Sequence, residues 1–290
     1  MAFCFHIFLE AVESRKFCHH DVLGCKGWRM FKRLYAVRFD RPASAGRNKA
    51  CMIECTDEAD QRTDVIVKFT GCETGPTGLI RESLAAFLAA DLGLPIPEPV
   101  LVEIPEGFTA GPDYPEVNHL LGKSSKFAFG STALPGGYTI YAPTQPLRGP
   151  VVQRAVHIFV FDTLIANTDR APGNPNCLVK GENAIIIDHD LAFILDALFW
   201  KEPWKLGGGD ELAAPEKHIF WTLAKNHNFD FDELKGRLLA ISDDRLSEYV
   251  SALPRDWHAG NNSAQRIVEY ITNLRDNADS AFSEIQRVLQ

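Results

Sequence analysis

Asn167 to Phe193 reads N-T-D-R-A-P-G-N-P-N-C-L-V-K-G-E-N-A-I-I-I-D-H-D-L-A-F. Two short apolar runs, Cys177 to Val179 and Ala184 to Ile187, flank Gly181-Glu182-Asn183, the pattern of a β-hairpin with a three-residue loop. In that register Lys180 faces Ala184 and Asn176 faces Asp188. The hairpin then brings an amide oxygen and a carboxylate together at its open end, with Asp169 held just upstream by a loop rich in Pro and Gly. Hard oxygen donors grouped in this way suit Mg²⁺ and phosphate. A surface turn draws on the same residue types. The order of the set, more than any one member, distinguishes this stretch.

Protein kinases place the same parts in the same order. A catalytic-loop Asp orients the acceptor hydroxyl and takes its proton, an Asn opening the next strand holds Mg²⁺, and an Asp ending the following strand bridges metal and phosphates. Phosphoryl transfer needs positioning and charge neutralisation more than covalent help, so carboxylates, amides and a metal suffice. On this pattern Asp169 is the expected base, with Asn176 and Asp188 as metal ligands.

N-T-D-R, N-P-N-C-L-V and I-D-H-D-L-A-F resemble the HipA-like kinases and, more distantly, the type II phosphatidylinositol 4-kinases, where an N-x-D-R-like loop replaces H-R-D. The resemblance runs from about Tyr35 to the glycines Gly207 to Gly209. It implies an α+β, bilobal protein-kinase-like fold, with a small antiparallel β lobe carrying one helix and a larger, mainly helical lobe. It also implies ATP and Mg²⁺ as cofactors and a protein substrate phosphorylated on serine or threonine, as in the HipA-like kinases of bacteria. Relatives commonly set the metal Asn five residues after the catalytic Asp, at Asn174 here, whereas the hairpin register points to Asn176. Both remain candidates. A lipid or small-molecule acceptor is the second reading, and a nucleotide-binding regulator without catalysis the third.

The chain has 290 residues, 46% hydrophobic and 23% charged, enough for one large domain or two lobes. A formal charge of -8 argues against nucleic acid as the main partner, because that affinity comes from Lys and Arg neutralising phosphates. The seven cysteines are dispersed and lack a C-x-x-C pair, so neither a disulfide framework nor a standard zinc site is expected. A cytoplasmic location is expected, since the apolar opening is short and interrupted by Glu10, and no run approaches the ~18 apolar residues of a membrane span. Nothing in the sequence indicates an oligomeric state.

Residues 1–30 read as a loosely ordered extension, in which Cys4, Cys18, Cys25, His6, His19 and His20 show no ligand spacing. Residues 31–140 are expected to form the small nucleotide-binding lobe and 141–290 the large one. The small lobe opens with L-Y-A-V-R-F, C-M-I-E-C and V-I-V-K-F, three strands of a twisted antiparallel sheet. Gly46, in the loop between the first two, would let backbone amides approach phosphate, although an ordinary hairpin loop needs a glycine as well. Lys68 is a lone cation in an apolar strand, and such a charge must be paired or must bind something. A helix is expected from Leu79 to Leu92, closed by Gly93, with Glu82 on its first turn and able to reach Lys68. The stretch Phe127 to Tyr141 resembles the family's last small-lobe strand and hinge, which implies adenine contacts from the backbone near Ser131 to Leu134.

Val151 to Ala166 is expected to be a helix leading into the Asp169 loop, with His157 and Asp162 as packing or capping residues. Arg170 either steers the transferred phosphate or braces the loop through a salt bridge. His189 is expected to be structural, and Asp190 to lie next to the metal ligands. Trp200 and Trp204 either pack in the core or line a substrate cleft. The remainder reads as helices over His218 to Lys225, Phe231 to Ala240, Ser242 to Leu253 and Asn262 to Leu289. The last carries an apolar stripe from Ile267 to Val288.

Overall fold

The computed structural model describes residues 30–43, 48–196, 200–225, 229–258, 260 and 262–290. The Cys and His residues of the N-terminal extension and Gly46 lie outside the described residues. In chain order come strands β1 (Lys32–Pro42), β2 (Cys51–Thr56) and β3 (Arg62–Lys68), then helix α1 (Gly75–Asp91) and β4 (Pro99–Glu103). Helix α2 (Pro115–Gly122), absent from the sequence reading, precedes β5 (Phe127–Thr132) and β6 (Thr139–Ile140). Helix α3 (Pro150–Leu164) leads into the hairpin β7 (Cys177–Lys180) and β8 (Asn183–Ile186). Helices α4 (Trp221–Ala224), α5 (Asp232–Leu239), α6 (Asp243–Ser251), α7 (Ser263–Asp276) and α8 (Ala278–Leu289) complete the chain.

The first five strands do not form an open antiparallel sheet. They close into a barrel in the order β1, β2, β3, β5, β4. Closure comes from a parallel pairing of β1 with β4, Lys32 opposite Val100 through Tyr35 opposite Glu103. A parallel partner needs a long crossover, and β2, β3 and α1 supply it. Gly130 of β5 lies opposite Val67 and Val100. A Cβ there would fall 2.6 Å from Val65 Cγ1 and 2.8 Å from Val100 Cγ2. The missing side chain is thus what lets three strands of valines meet inside the barrel.

Helix α1 packs beside the barrel, with Leu79, Ile80, Leu84, Phe87 and Leu88 fully buried. It stops where the sequence predicts. Gly93 takes φ +74, its amide bonds to Ala90 O at 2.9 Å, and Leu94 N bonds to Ala89 O at 2.8 Å. This is the Schellman arrangement that a left-handed glycine permits. The start lies earlier than expected, at Gly75, because Pro76 in the first turn costs no hydrogen bond there. Glu82 therefore sits about two turns into the helix. Asp91 at the far end accepts both Arg245 Nε and Nη2 at 2.8 Å and Tyr249 OH at 2.8 Å, which pins α1 to α6.

The β7–β8 hairpin forms with a register one residue from the predicted one. Lys180 faces Asn183 and Cys177 faces Ile186, so the loop is the two residues Gly181 and Glu182. Gly181, at φ +57, fills the first central position, where a two-residue hairpin turn calls for glycine. Asn176 consequently faces Ile187, whose amide bonds to Asn176 O at 3.1 Å, and not Asp188. Ile186 N bonds to Pro95 O at 3.0 Å, joining the hairpin to the segment between α1 and β4.

The expected C-terminal helix is two, α7 and α8, broken at Asn277, whose backbone (φ -112, ψ 23) ends one and begins the other. Its stripe is nonetheless core: Ile267, Ile271, Leu274, Ala278, Ala281 and Ile285 are all buried. Of His218 to Lys225 only Trp221–Ala224 is helical. One contiguous apolar core extends from Met30 to Leu289. No helix among the described residues is long and apolar enough to cross a membrane.

Candidate active site

Lys68 ends β3 and is 7% exposed. A buried ammonium must be paired. Its Nζ donates to Glu82 Oε2 at 2.8 Å and to Asp188 Oδ1 at 2.6 Å. The same Glu82 oxygen accepts His189 N at 2.8 Å, so one carboxylate grips both the lysine and the backbone just beyond Asp188. Burial opposes the charge on Lys68, but the acids Glu82, Asp188 and Asp190 outweigh it and raise its pKa. Burial raises Glu82, against the pull of Lys68. For Asp188 burial is outweighed by Lys68, and the group is lowered.

Asp169 stands on the loop after α3. Its Oδ2 accepts Nδ2 of Asn174 at 2.7 Å and Nδ2 of Asn176 at 3.1 Å. Asn174 N bonds back to Ala171 O at 2.9 Å, which curls the loop and brings both amides to one carboxylate. Asn176 and Asp188 adopt φ +44 and +61, a left-handed conformation that Asn and Asp tolerate better than most residues. Such backbone is costly and concentrates at functional sites. Lys68, Glu82 and Asp188 thus meet directly, and Asp169, Asn174 and Asn176 form a second group on the approach to the same hairpin.

The family model for HipA-like kinases matches residues 39–284. The chain belongs to the HipA-like kinase family. Among solved structures it is similar to the crystal structure of a Helicobacter pylori proinflammatory kinase, CtkA, at 12% identity and a TM-score of 0.46, over 87% of this chain and 97% of that one. No curated protein matches it.

In this HipA-like kinase the donors suit a divalent ion. Asp188 lies within 4.8 Å of carboxylate oxygens of Glu82 and Asp190 and is the one of the three that is not buried, which makes it the carboxylate open to an ion, and two amides lie on the neighbouring loop. Hard carboxylate and amide oxygens of this kind match Mg²⁺, which binds one or two carboxylates and fills its remaining positions with water and phosphate. Asp190, 3% exposed, is pushed up to about 7 by burial, with Asp188 and Glu82 adding negative charge beside it. Its Oδ2 accepts Asn48 Nδ2 and Thr74 Oγ1, the latter at 3.3 Å. Asn48 and Thr74 were not legible in the sequence as neighbours of the site, because 142 and 116 residues separate them from Asp190.

Arg170 is wholly buried and braces the loop. It donates to Asp162 Oδ2 at 2.5 Å, to Asn176 O, and to Ile187 O at 3.4 Å. Asp162 also accepts His218 Nε2 at 3.0 Å and Asn167 Nδ2 at 2.7 Å. Burial disfavours its charge, yet Arg170 and His218 hold it well below the usual carboxylate range. His189 contacts Arg170 Nη2 at 2.9 Å. Burial, helped by Arg170, lowers its pKa to about 3, so it is neutral. His157 binds Gln153 and Asp230 O, as a packing residue would.

Ser131 lies on β5 opposite Ile66 and Pro99, and Leu134 follows two residues after that strand ends. Between them Thr132 N bonds to Glu98 O at 3.0 Å and Ala133 N to Asp64 O at 2.8 Å, so these two amides of the stretch expected to contact adenine are already bonded within the chain. Trp200 and Trp204 both pack on Tyr270, with ring centroids 5.7 and 5.4 Å apart. Trp200 also lines a cavity of about 320 Å³ with Lys201, Asp210 and Lys217.

Proposed function

We propose that this chain is an ATP- and Mg²⁺-dependent kinase that phosphorylates serine or threonine on a protein substrate. The observation that carries the reading is the buried Lys68 bonded at once to Glu82 and Asp188. In phosphoryl-transfer sites such a lysine neutralises nucleotide phosphates and a helix carboxylate keeps it aimed. Lys68 exchanges its bond to Asp188 for phosphate oxygens, while Glu82, anchored by His189 N, keeps the ammonium in place. Asp188 and one of Asn174 and Asn176 would hold Mg²⁺, which supplies charge neutralisation for the phosphates and the leaving oxygen. Asp169 accepts the acceptor hydroxyl's proton, and the two amides on its Oδ2 fix which oxygen faces that hydroxyl. Residues 31–140 would carry the nucleotide and 141–290 the acceptor, with adenine against backbone groups near Ser131 to Leu134 other than the bonded amides of Thr132 and Ala133. The free, buried thiols of Cys51, Cys55, Cys72 and Cys177 fit a reducing cytoplasm.

The test is transfer of γ-phosphate from ATP to lysate proteins, with acceptor residues located by mass spectrometry. Wild type is expected to label Ser or Thr, and Asp169→Ala to lose at least a hundredfold in rate, in line with loss of a positioned general base. Wild-type rates in Asp169→Ala contradict the role of that residue. Labelling of lipid extracts in place of protein contradicts the acceptor class.

A further inference from the structure

Asp190 lies where three separate pieces of the chain converge. Its Oδ2 takes the Asn48 amide, from the loop between β1 and β2, and the Thr74 hydroxyl, from the N-terminal boundary of α1. Asn48 closes the circuit, because its own oxygen lies 3.4 Å from Thr74 N and 3.3 Å from Thr74 Oγ1. The sequence makes room for this contact at one further position. A Cβ on Gly78 would fall 2.1 Å from Thr74 Oγ1, so glycine there gives the threonine its space. Asp190 is 3% exposed, and a buried carboxylate retains such donors because an unpaired one is costly.

Asp190 is also two residues beyond Asp188, which bonds Lys68. Asn48, the start of α1 and the segment after the hairpin therefore share one carboxylate beside the lysine. We propose that Asp190 is a positioning residue that holds Asn48 and the N-terminus of α1, the helix whose Glu82 grips Lys68, and that through this helix it sets the affinity for nucleoside triphosphate. The inference rests on the kinase reading above. Asn48 and Thr74 act through their bonds to Asp190 and to each other, and Asp190 holds these two residues without itself serving as a metal ligand.

The experiment compares Asn48→Ala, Asp190→Ala, the double variant and Asp190→Asn, which keeps an acceptor oxygen but removes the charge. First, amide hydrogen exchange over residues 48–53 is read without ligand. Each alanine variant is expected to speed exchange, and the double variant to go no further than either single one, as for two ends of one contact. This arm is independent of ATP, so it separates the latch from the kinase reading. Next, KM for ATP is measured with saturating Mg²⁺. Both alanine variants are expected to raise it roughly tenfold, the size of one lost charge-assisted hydrogen bond, with kcat falling less than threefold. Asp190→Asn is expected to retain most of the affinity at an unchanged Mg²⁺ requirement. Additive effects of Asn48→Ala and Asp190→Ala, or an Asp190→Asn enzyme that needs tenfold more Mg²⁺, overturn the proposal.

Discussion

The side chains of Arg170, Asp162 and His218 are fully buried and joined through Asp162. Asp162 has Arg170 and His218 on one oxygen and Asn167 on the other. Breaking a pair this deep is far more costly than losing a surface ion pair, because it leaves a charge in an apolar interior. The network has a definite pH signature. Burial lowers His218 below its ordinary value of 6.5, although Asp162 pulls the other way. The unfolded chain therefore takes up a proton that the folded chain refuses. Stability is then fully present above about pH 6.5 and declines as pH falls below it. The lowered Asp162 adds a loss of the same sign, beginning only near its unfolded value of 3.8. The buried acid Asp190, raised to about 7, changes stability in the opposite direction over this range, so the His218 part is read as a difference: urea unfolding is expected to show His218→Asn losing less stability than wild type between pH 7.5 and pH 5.0. An equal change in the two proteins contradicts this assignment. In the sequence, Lys68 and Glu82 were legible as partners because a charge in an apolar strand demands one. The bracing role of Arg170 was one of two readings, since only coordinates show that it is fully enclosed.

The strands and helices themselves were largely visible from apolar spacing and punctuation. Gly93 marked the end of α1, and the stripe from Ile267 to Ile285 marked the buried face of the last two helices. What periodicity does not encode is pairing. Nothing local in Pro99–Glu103 specifies a parallel partner 68 residues earlier in β1, and the barrel arises from that one choice. The hairpin register missed by one residue for a related reason. Asn183 fits a turn by residue type, but Gly181 alone meets the need for positive φ, so Asn183 joins the strand. The barrel depends on Gly130 in a testable way. Gly130→Ala inserts a methyl among Val65, Val100 and Val102, where overpacking costs about 1–3 kcal/mol. Urea unfolding is expected to report a loss in that range. A neutral result contradicts the tight apposition of β3, β4 and β5.

At the scale of the whole chain, the barrel, α1 and the β7–β8 hairpin present their polar ends to one place. The barrel supplies Lys68, α1 supplies Glu82, and the end of the hairpin supplies Asp188, with Asp169 in a second group on the loop before the hairpin. The Asn-Asp-Arg loop and the Asp-His-Asp segment made the second half legible, because their spacing is local. The contact between Asp190, Asn48 and Thr74 stayed hidden, since Asn48 and Thr74 lie 142 and 116 residues from Asp190 in the sequence. Everything proposed about function turns on the Lys68, Glu82 and Asp188 cluster acting as the seat of Mg²⁺-bound nucleotide. The most direct measurement is calorimetric titration of ATP into wild type and Asp188→Ala, with and without Mg²⁺. Wild type is expected to bind ATP at least tenfold more tightly with Mg²⁺ than without, and Asp188→Ala to show no such gain while still binding the nucleotide. A full Mg²⁺ gain in Asp188→Ala, or no ATP binding by wild type, contradicts the account.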